Sequence, residues 1–370
     1  MLLVCFLYQM TPPQISGPKL PQRVSLAEVT AQSLRESMHS GHWQGYLPGE
    51  RELCERLQVS RSTMRTALAA LERDGILEVA ERQRRRIKLP EAGKPAANSQ
   101  LIALITARPL LAMTAASVVM VDELRDQLAR AGFRLEIHVS TACFSSKPAR
   151  ALEGLTARSP AAAWLLIGSI QSMQDWFVQR QLPCLVVGSS LAGVALPSVD
   201  TDYRATCRHA GAMLRRAGHR HLIFLRPEGG YGGDLESEHG LKEALQGEDA
   251  PALQVLRHNG TAQHVCALLD KALRSARPPT ACLVARAAHV LTVMMFLMQR
   301  GLRIPQDMAV VARDDDAFLQ HTTPTTARYA SNPSQFARRV YVAARQLAET
   351  GALPPKAIRL MPKFIKGESC

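Results

Sequence analysis

Although the chain has eight cysteines, no two of them stand in a Cys-x-x-Cys pair, which removes a zinc knuckle and a thioredoxin-like redox site from consideration. Cys5, Cys54, Cys143, Cys184, Cys207, Cys266, Cys282 and Cys370 are scattered, mostly beside Val, Leu or Ala. That is the pattern of reduced thiols in a cytosolic protein. The histidines form no His-Glu-x-x-His pair, and no Gly-x-Ser-x-Gly elbow occurs, so neither a metallohydrolase nor a serine hydrolase is expected. Asp314-Asp315-Asp316 offers three carboxylates, but consecutive side chains do not point at one ion, and no metal is expected. Gly229-Gly230-Tyr231-Gly232-Gly233 lacks the Gly-Lys-Ser/Thr that completes a phosphate loop and reads as a flexible cleft loop. With no nucleophile, acid/base or metal constellation, the chain reads as a non-enzyme without a cofactor.

Long apolar runs are also missing. No stretch reaches the roughly 18 uncharged apolar residues of a membrane span, so a soluble, cytoplasmic protein is expected. The opening run Met1 to Met10 has no basic residue before it and no small-residue cleavage site after it. Residues 1–23 read as an irregular extension, one reading of which is a start upstream of the true frame. Acidic residues are in deficit, 32 against 45 Lys plus Arg, a net charge of +13. This excludes an acidic solvating protein and suggests a polyanionic partner.

Residues 24–89 read as a small domain. Ser25 followed by Glu28 makes a capping box, and Leu26, Val29, Leu34 and Met38 place an apolar face on a helix ending near Gly41. Leu47-Pro48-Gly49 turns into a second helix over Glu50 to Leu57. After the tight Gln58-Val59 connection, Ser60 caps a third helix carrying Met64, Leu68 and Leu71 at helical spacing. Asp74-Gly75 stops it, and two short strands follow over Ile76–Val79 and Arg86–Leu89. Three helices and a β-hairpin are the plan of a winged helix-turn-helix. Its third helix exposes Arg61, Ser62, Arg65 and Thr66 at the end that enters a major groove, where arginine forks onto guanine. Arg82, Arg84, Arg85, Arg86 and Lys88 make a basic hairpin able to neutralise phosphates or enter a minor groove. Charge placement agrees: residues 61–90 hold eight basic against four acidic residues, whereas residues 21–60 hold four against five.

Leu47-Pro48-Gly49-Glu50-Arg51-Glu52-Leu53, then Val59-Ser60-Arg61-Ser62-Thr63-Met64-Arg65, then Leu71 and Asp74-Gly75-Ile76-Leu77, resemble the GntR family of bacterial transcription regulators. The resemblance implies operator-DNA contacts by Arg51, Ser60, Arg61, Ser62, Thr63 and Arg65. With the basic hairpin's Arg82, Arg84 and Arg85, these are the candidate DNA-binding residues. The family often has Gly-x-Gly at the wing, where this chain has Glu81-Arg82-Gln83-Arg84.

Residues 90–100, PEAGKPAANSQ, read as a linker. Beyond them short apolar runs alternate with amphipathic segments. Strands are expected over Leu101–Thr106, Arg134–Val139, Ala163–Ile167, Cys184–Val187, Leu222–Leu225, Ala281–Ala285 and Ala309–Val311. Helices are expected over Val118–Leu128, Arg204–Arg216 and Val290–Gln299. Buried strands separated by helices indicate parallel α/β sheets, and the length of residues 101–370 favours two lobes around a cleft. Val199-Asp200-Thr201-Asp202-Tyr203, Ala217-Gly218-His219-Arg220-His221-Leu222-Ile223-Phe224-Leu225, Gly301-Leu302-Arg303-Ile304-Pro305, Asp314-Asp315 and Thr323-Pro324-Thr325-Thr326 resemble the ligand-binding domain of the LacI family, which is similar to periplasmic sugar-binding proteins. That implies two Rossmann-like lobes, an effector in the cleft and a side-by-side homodimer.

The pocket departs from the family's pattern. Ser237 stands where an arginine three residues before Gly240 is usual, and Arg286-Ala287 replaces a strand-end Asn-Asp. An arginine at a cleft edge can hold a carboxylate or phosphate bidentately. It can equally pair with Asp314 or Asp315 and fill the site. Arg108, Ser237, Arg286 and Asp314 are the candidate effector-binding residues. The expected protein is a DNA-binding transcription regulator, a repressor by first reading. Its partners would be double-stranded operator DNA and a sugar, sugar acid or related metabolite. The alternative is a ligand-sensing adaptor that binds a partner protein and touches DNA only nonspecifically.

Overall fold

The computed structural model describes residues 25–39, 43, 45–79, 85–87, 99–247 and 250–370. The chain divides into two compact units, residues 1–90 and 91–370. The expected extension at 1–23, the hairpin tip with Arg82 and Arg84, Lys88, and the linker as far as residue 98 lie outside the described residues.

In the first unit, helix α1 (Leu26–His39) opens on the reciprocal cap read from the sequence. The Glu28 N–H donates to Ser25 Oγ at 3.1 Å, and the Ser25 N–H donates to Glu28 Oε2 at 2.8 Å. The buried face of α1 is not the one expected. Leu26 and Val29 are exposed, while Ala31, Leu34 and Met38 are buried with Thr30, because the first turn overhangs the small core rather than lying on it. Helices α2 (Glu50–Leu57) and α3 (Arg61–Arg73) supply Leu53, Met64, Ala67, Leu68 and Leu71 to that core. Between them Gln58 adopts a left-handed conformation (φ 53°) and its N–H bonds to Cys54 O, which makes the turn as tight as the sequence suggested. Strands β1 (Leu77–Val79) and β2 (Arg85–Ile87) pair antiparallel, Leu77 opposite Ile87. The described hairpin strand thus begins at Arg85, one residue earlier than expected.

The second unit holds two six-stranded sheets. The first lobe contains β3 (Leu101–Thr106), β4 (Arg134–Val139), β5 (Ala163–Ile167), β6 (Cys184–Val187), β7 (Ser198–Thr201) and β13 (Ala357–Leu360). They lie parallel in the order β13-β7-β6-β5-β3-β4. Between its strands run α4 (Ala115–Arg130), α5 (Ala149–Arg158) and α6 (Gln171–Arg180). The second lobe contains β8 (His221–Pro227), β9 (Ala252–His258), β10 (Ala281–Val284), β11 (Ala309–Ala312), β12 (Ala327–Ala330) and β14 (Lys363–Ile365), in the order β14-β12-β11-β10-β8-β9. Only β14 in this sheet runs antiparallel to its neighbour. Its helices are α7 (Tyr203–Arg216), α8 (Gly232–Ala244), α9 (Ala262–Leu273) and α10 (Ala287–Gln299).

The central strands β3, β5, β6, β10 and β11 are near-continuous apolar runs because helices cover both faces. Helix α11 (Pro333–Thr350) returns from the second lobe to the first, where Ala337, Val340, Ala343, Ala344 and Leu347 close the core against α4. The chain crosses between lobes after β7, after β12 and between β13 and β14. Residues 366–370 then settle beside β11 and β12: buried Ser369 accepts from Ala327 N at 2.9 Å and donates to Val310 O at 2.6 Å.

Helices α7 and α8 cross closely at Gly240. A Cβ there would stand 2.1 Å from Arg204 O and 3.0 Å from Arg208 N. Backbone cannot swing aside as a side chain can, so Gly240→Ala is expected to destabilise by at least the roughly 1–3 kcal/mol of ordinary overpacking. A urea midpoint equal to wild type would show that the two helices can part freely.

Candidate functional site

At the N-terminus of α3, Ser60 Oγ accepts from the Thr63 N–H at 3.2 Å and lies 2.8 Å from both Ser62 Oγ and Thr63 Oγ1. This cap fixes the start of the helix. Met64, Ala67, Leu68 and Leu71 anchor its buried face, which leaves Arg61, Ser62, Arg65 and Thr66 exposed on the other. Arg65 is held at its root by Glu50 (Nε to Oε2, 3.1 Å), so its two terminal nitrogens remain for a planar acceptor pair. Arg51 is exposed and pairs with Glu55 on its own helix.

Arg85 behaves otherwise than expected for a wing residue. Its Nε meets Glu72 at 2.6 Å, its Nη2 meets Glu50 at 3.1 Å, and the side chain is largely covered. It is a brace that ties the strand to α2 and α3 through Nε and Nη2. The candidate DNA contact Arg85 thus lies between two carboxylates of its own domain. The signal for this was present: Glu50 and Glu72 are acids on helices that the fold turns inward.

In the second unit, the strand carboxyl ends carry a chain of alternating charges. Asp234, in the first turn of α8, is fully buried and takes Arg286 Nη2 on Oδ2 (2.8 Å) and Arg313 Nη1 on Oδ1 (2.6 Å). Arg313, directly after β11, also donates to both oxygens of Asp314 at 3.0 and 3.2 Å, and to Ser237 Oγ at 2.9 Å. Its guanidinium carbon lies 4.1 Å from the centroid of the Tyr203 ring. Arg286 stands 3.6 Å from Asp314. Burial alone would raise the Asp234 pKa, but the fields of Arg313 and Arg286 outweigh it and hold the carboxyl below its ordinary range.

The four residues expected at the effector site are therefore placed differently. Arg286 and Asp314 are adjacent, with side-chain exposures of 32% and 22%. The principal partner of Arg286 is Asp234, which the sequence reading did not single out, while Asp315 pairs with Arg328 instead. Ser237 is fully buried; its hydroxyl donates to Gly233 O at 2.7 Å and accepts from Arg313. It lies beneath Arg286 and Asp314, with its hydroxyl engaged by Gly233 and Arg313. Arg108 is exposed on the loop after β3, and only its backbone is engaged, with the Thr106 hydroxyl.

The Gly-rich segment also differs from its expectation as a flexible loop: Gly232 and Gly233 already belong to α8. Gly232 packs directly on the first lobe, since a Cβ there would fall 2.8 Å from Ser189 O. Ser189 donates to the buried Asp200 at 2.6 Å and accepts from Arg359 at 2.7 Å. A separate cavity of about 450 Å³ lies by the edge strand β4, lined by His138, Ser140, Leu155 and Arg158 among others, away from these strand ends.

Two buried groups make the domain's stability depend on pH in opposite senses. Burial, reinforced by neighbouring His289, pulls the His258 pKa from 6.5 down to about 4. The unfolded chain takes up this proton first, so stability is lost as pH falls from 6.5 to about 4. Burial pushes Asp200 from 3.8 up to about 6, against the hydrogen bond from Ser189. Here the folded form holds the proton longer, so stability is gained as pH falls from about 6 to 3.8. Urea midpoints across this window are expected to fall more steeply with acid in Asp200→Asn and less steeply in His258→Asn. Parallel curves for both variants and wild type would overturn this account.

Among the described residues no helix is long and apolar enough to cross a membrane. Residues 26–87 match the family described as bacterial regulatory proteins, gntR family, and residues 212–370 match a periplasmic binding protein-like domain. The HTH-type transcriptional regulator AscG of Escherichia coli is 25% identical over 162 residues, 42% of this chain and 47% of AscG. The HTH-type transcriptional repressor NanR of Klebsiella aerogenes is 36% identical over 72 residues, 19% of this chain and 28% of NanR. The chain thus spans less than half the length of these curated relatives. Among solved structures, the transcriptional regulator CelR–cellobiose complex is 19% identical with a TM-score of 0.63, over 85% of this chain and 92% of that one. A LacI family transcriptional regulator from Enterococcus faecium with bound ribose is 16% identical with a TM-score of 0.60, over 73% and 98%. These likenesses establish the fold: a two-lobed, periplasmic-binding-protein-like domain follows a gntR-type helix-turn-helix.

Proposed function

We propose that this chain, in which a gntR-family DNA-binding domain precedes a periplasmic binding protein-like domain, is a metabolite-controlled transcription regulator that represses by occupying a palindromic operator. The observation that carries the reading is the exposed set Arg61, Ser62 and Arg65 at the capped start of α3, directly after the left-handed turn at Gln58. A recognition helix needs that combination of rigid placement and free donors. Arg51 adds a phosphate contact, and Arg82 and Arg84 are further DNA contacts in this reading.

The effector is a sugar, sugar acid or related metabolite taken between the lobes, where Arg286, Asp314 and Arg108 are the contact residues. The bound sugars named for CelR and for the Enterococcus faecium regulator support this class. Control requires the metabolite to bind one lobe arrangement better than another. The protein acts without catalysis, in the cytoplasm, as a homodimer. Leu291, Met295 and Met298 form an exposed apolar stripe along α10, a face suited to a second copy. Met295→Asp is expected to shift the protein to monomer in analytical ultracentrifugation; an unchanged sedimentation coefficient removes α10 from the interface.

The decisive experiment is competition for binding between a short palindrome from upstream of the chain's own coding sequence and bulk DNA, run with and without sugars, sugar acids and sugar phosphates. Equal competition by both DNAs would defeat the operator reading.

A further inference from the structure

Arg313 is bound by the protein as a ligand would be. Its guanidinium makes a two-pronged contact with Asp314, opposes Asp234 on its other edge, meets the Ser237 hydroxyl and lies over the Tyr203 ring. Planar fork, paired carboxylates and an aromatic face are the recognition set for a guanidinium ion. The contacts come from three separate places in the chain: the start of α7 (Tyr203), the first turns of α8 (Asp234, Ser237) and the segment after β11, where Asp314 is next to Arg313 itself. All lie at strand carboxyl ends, where α/β lobes take their ligands. Arg313 itself is 2% exposed, so it fills this place and does not merely border it.

We propose that Asp234, Ser237, Asp314 and Tyr203 form a guanidinium-binding site whose resident ligand is the chain's own Arg313, so that this half of the cleft is permanently occupied and a free effector is read beside it, at Arg286. The inference rests on the reading of the cleft as the effector pocket. Ser237, which stands where an arginine is usual, accepts from this guanidinium instead. The proposal also restricts the effector, because Asp234 and Ser237 are consumed internally, and of this charge cluster Arg286 and Asp314 are the members with exposed side-chain surface.

The test is chemical rescue. Arg313→Ala removes the occupant and leaves a guanidinium-sized space lined by the two aspartates. Low-millimolar guanidinium or methylguanidinium chloride is expected to raise the thermal midpoint of the purified full-length variant by several degrees. Sodium chloride or urea at equal concentration should not do so, and wild type should show no rise. If Arg313→Ala does not fold alone, folding on addition of guanidinium supports the proposal equally. Failure of guanidinium to stabilise or recover it overturns the proposal. Arg313→Lys keeps the charge without the fork; stability equal to wild type would show that charge alone suffices, which also overturns it. Operator titration of the rescued variant separates the two readings. Rescue of the midpoint without rescue of operator affinity leaves the guanidinium site standing and defeats its coupling to regulation.

Discussion

Arg61→Ala and Arg65→Ala are each expected to weaken binding to the specific operator by about 1–3 kcal/mol, roughly five- to 150-fold, and the double variant to lose specific protection altogether. Both project from the exposed face of a helix fixed by the Ser60 cap and by four buried apolar residues. Arg65 is aimed by Glu50 through Nε alone, which leaves its terminal fork for the O6 and N7 of a guanine. Arg51→Ala should instead weaken all DNAs alike and lower the salt dependence, because a phosphate contact carries no sequence information. Arg85→Ala belongs to neither class: with its guanidinium enclosed by Glu50 and Glu72, its loss should lower stability more than specificity. Nuclease protection of the operator at an unchanged concentration of the double variant would show that α3 does not read the bases.

Asp234→Asn is expected to cost about 3–5 kcal/mol of stability, the usual result of removing one partner from a buried ion pair. The substitution keeps the shape of the side chain and deletes only its charge. Arg313 is then left with Asp314 alone, and Arg286 loses its closest carboxylate. Asp314→Asn should cost less, because that carboxylate is partly exposed and water can take its place. Urea melts of the two variants measure the difference. A change below about 1 kcal/mol for Asp234→Asn would mean that the alternating chain of charges contributes little, as exposed pairs do.

The sequence announces the parts of the fold that are governed by burial. β3, β5, β6, β10 and β11 were legible because strands covered on both faces must be apolar throughout, and α3 because Met64, Leu68 and Leu71 repeat at helical spacing. Edge and late elements were not legible. β9 alternates in burial, and β12, β13 and β14 each carry a basic residue (Arg328, Arg359 and Lys363), so none makes an apolar run. α8 opens with Gly232 and Gly233, which read as loop; they and Gly240 are there because Ser189, Tyr203 and Arg204 approach the helix too closely for a side chain. At the site, Arg286 and Asp314 could be placed because each follows an apolar strand. Asp234 could not, since its partners lie 52 and 79 residues away. Arg313 was passed over because an arginine beside three acids looks solvated. An arginine set between a buried strand and an acidic run was the available clue, and only tertiary packing shows that it points inward.

The route of the chain between the lobes bears on how the protein is made. The first lobe receives β3 to β7 early, yet its core is closed by α11 and its sheet edge by β13, after the second lobe has contributed five strands. The second lobe in turn waits for β14 and for Ser369, which bridges β11 and β12. During synthesis, therefore, neither lobe can complete its core while the other is still emerging from the ribosome. Apolar surface that α11 will cover on β5, β6 and α4 stays open for most of translation. A nascent chain of this topology should depend on chaperones more than one whose lobes are contiguous in sequence.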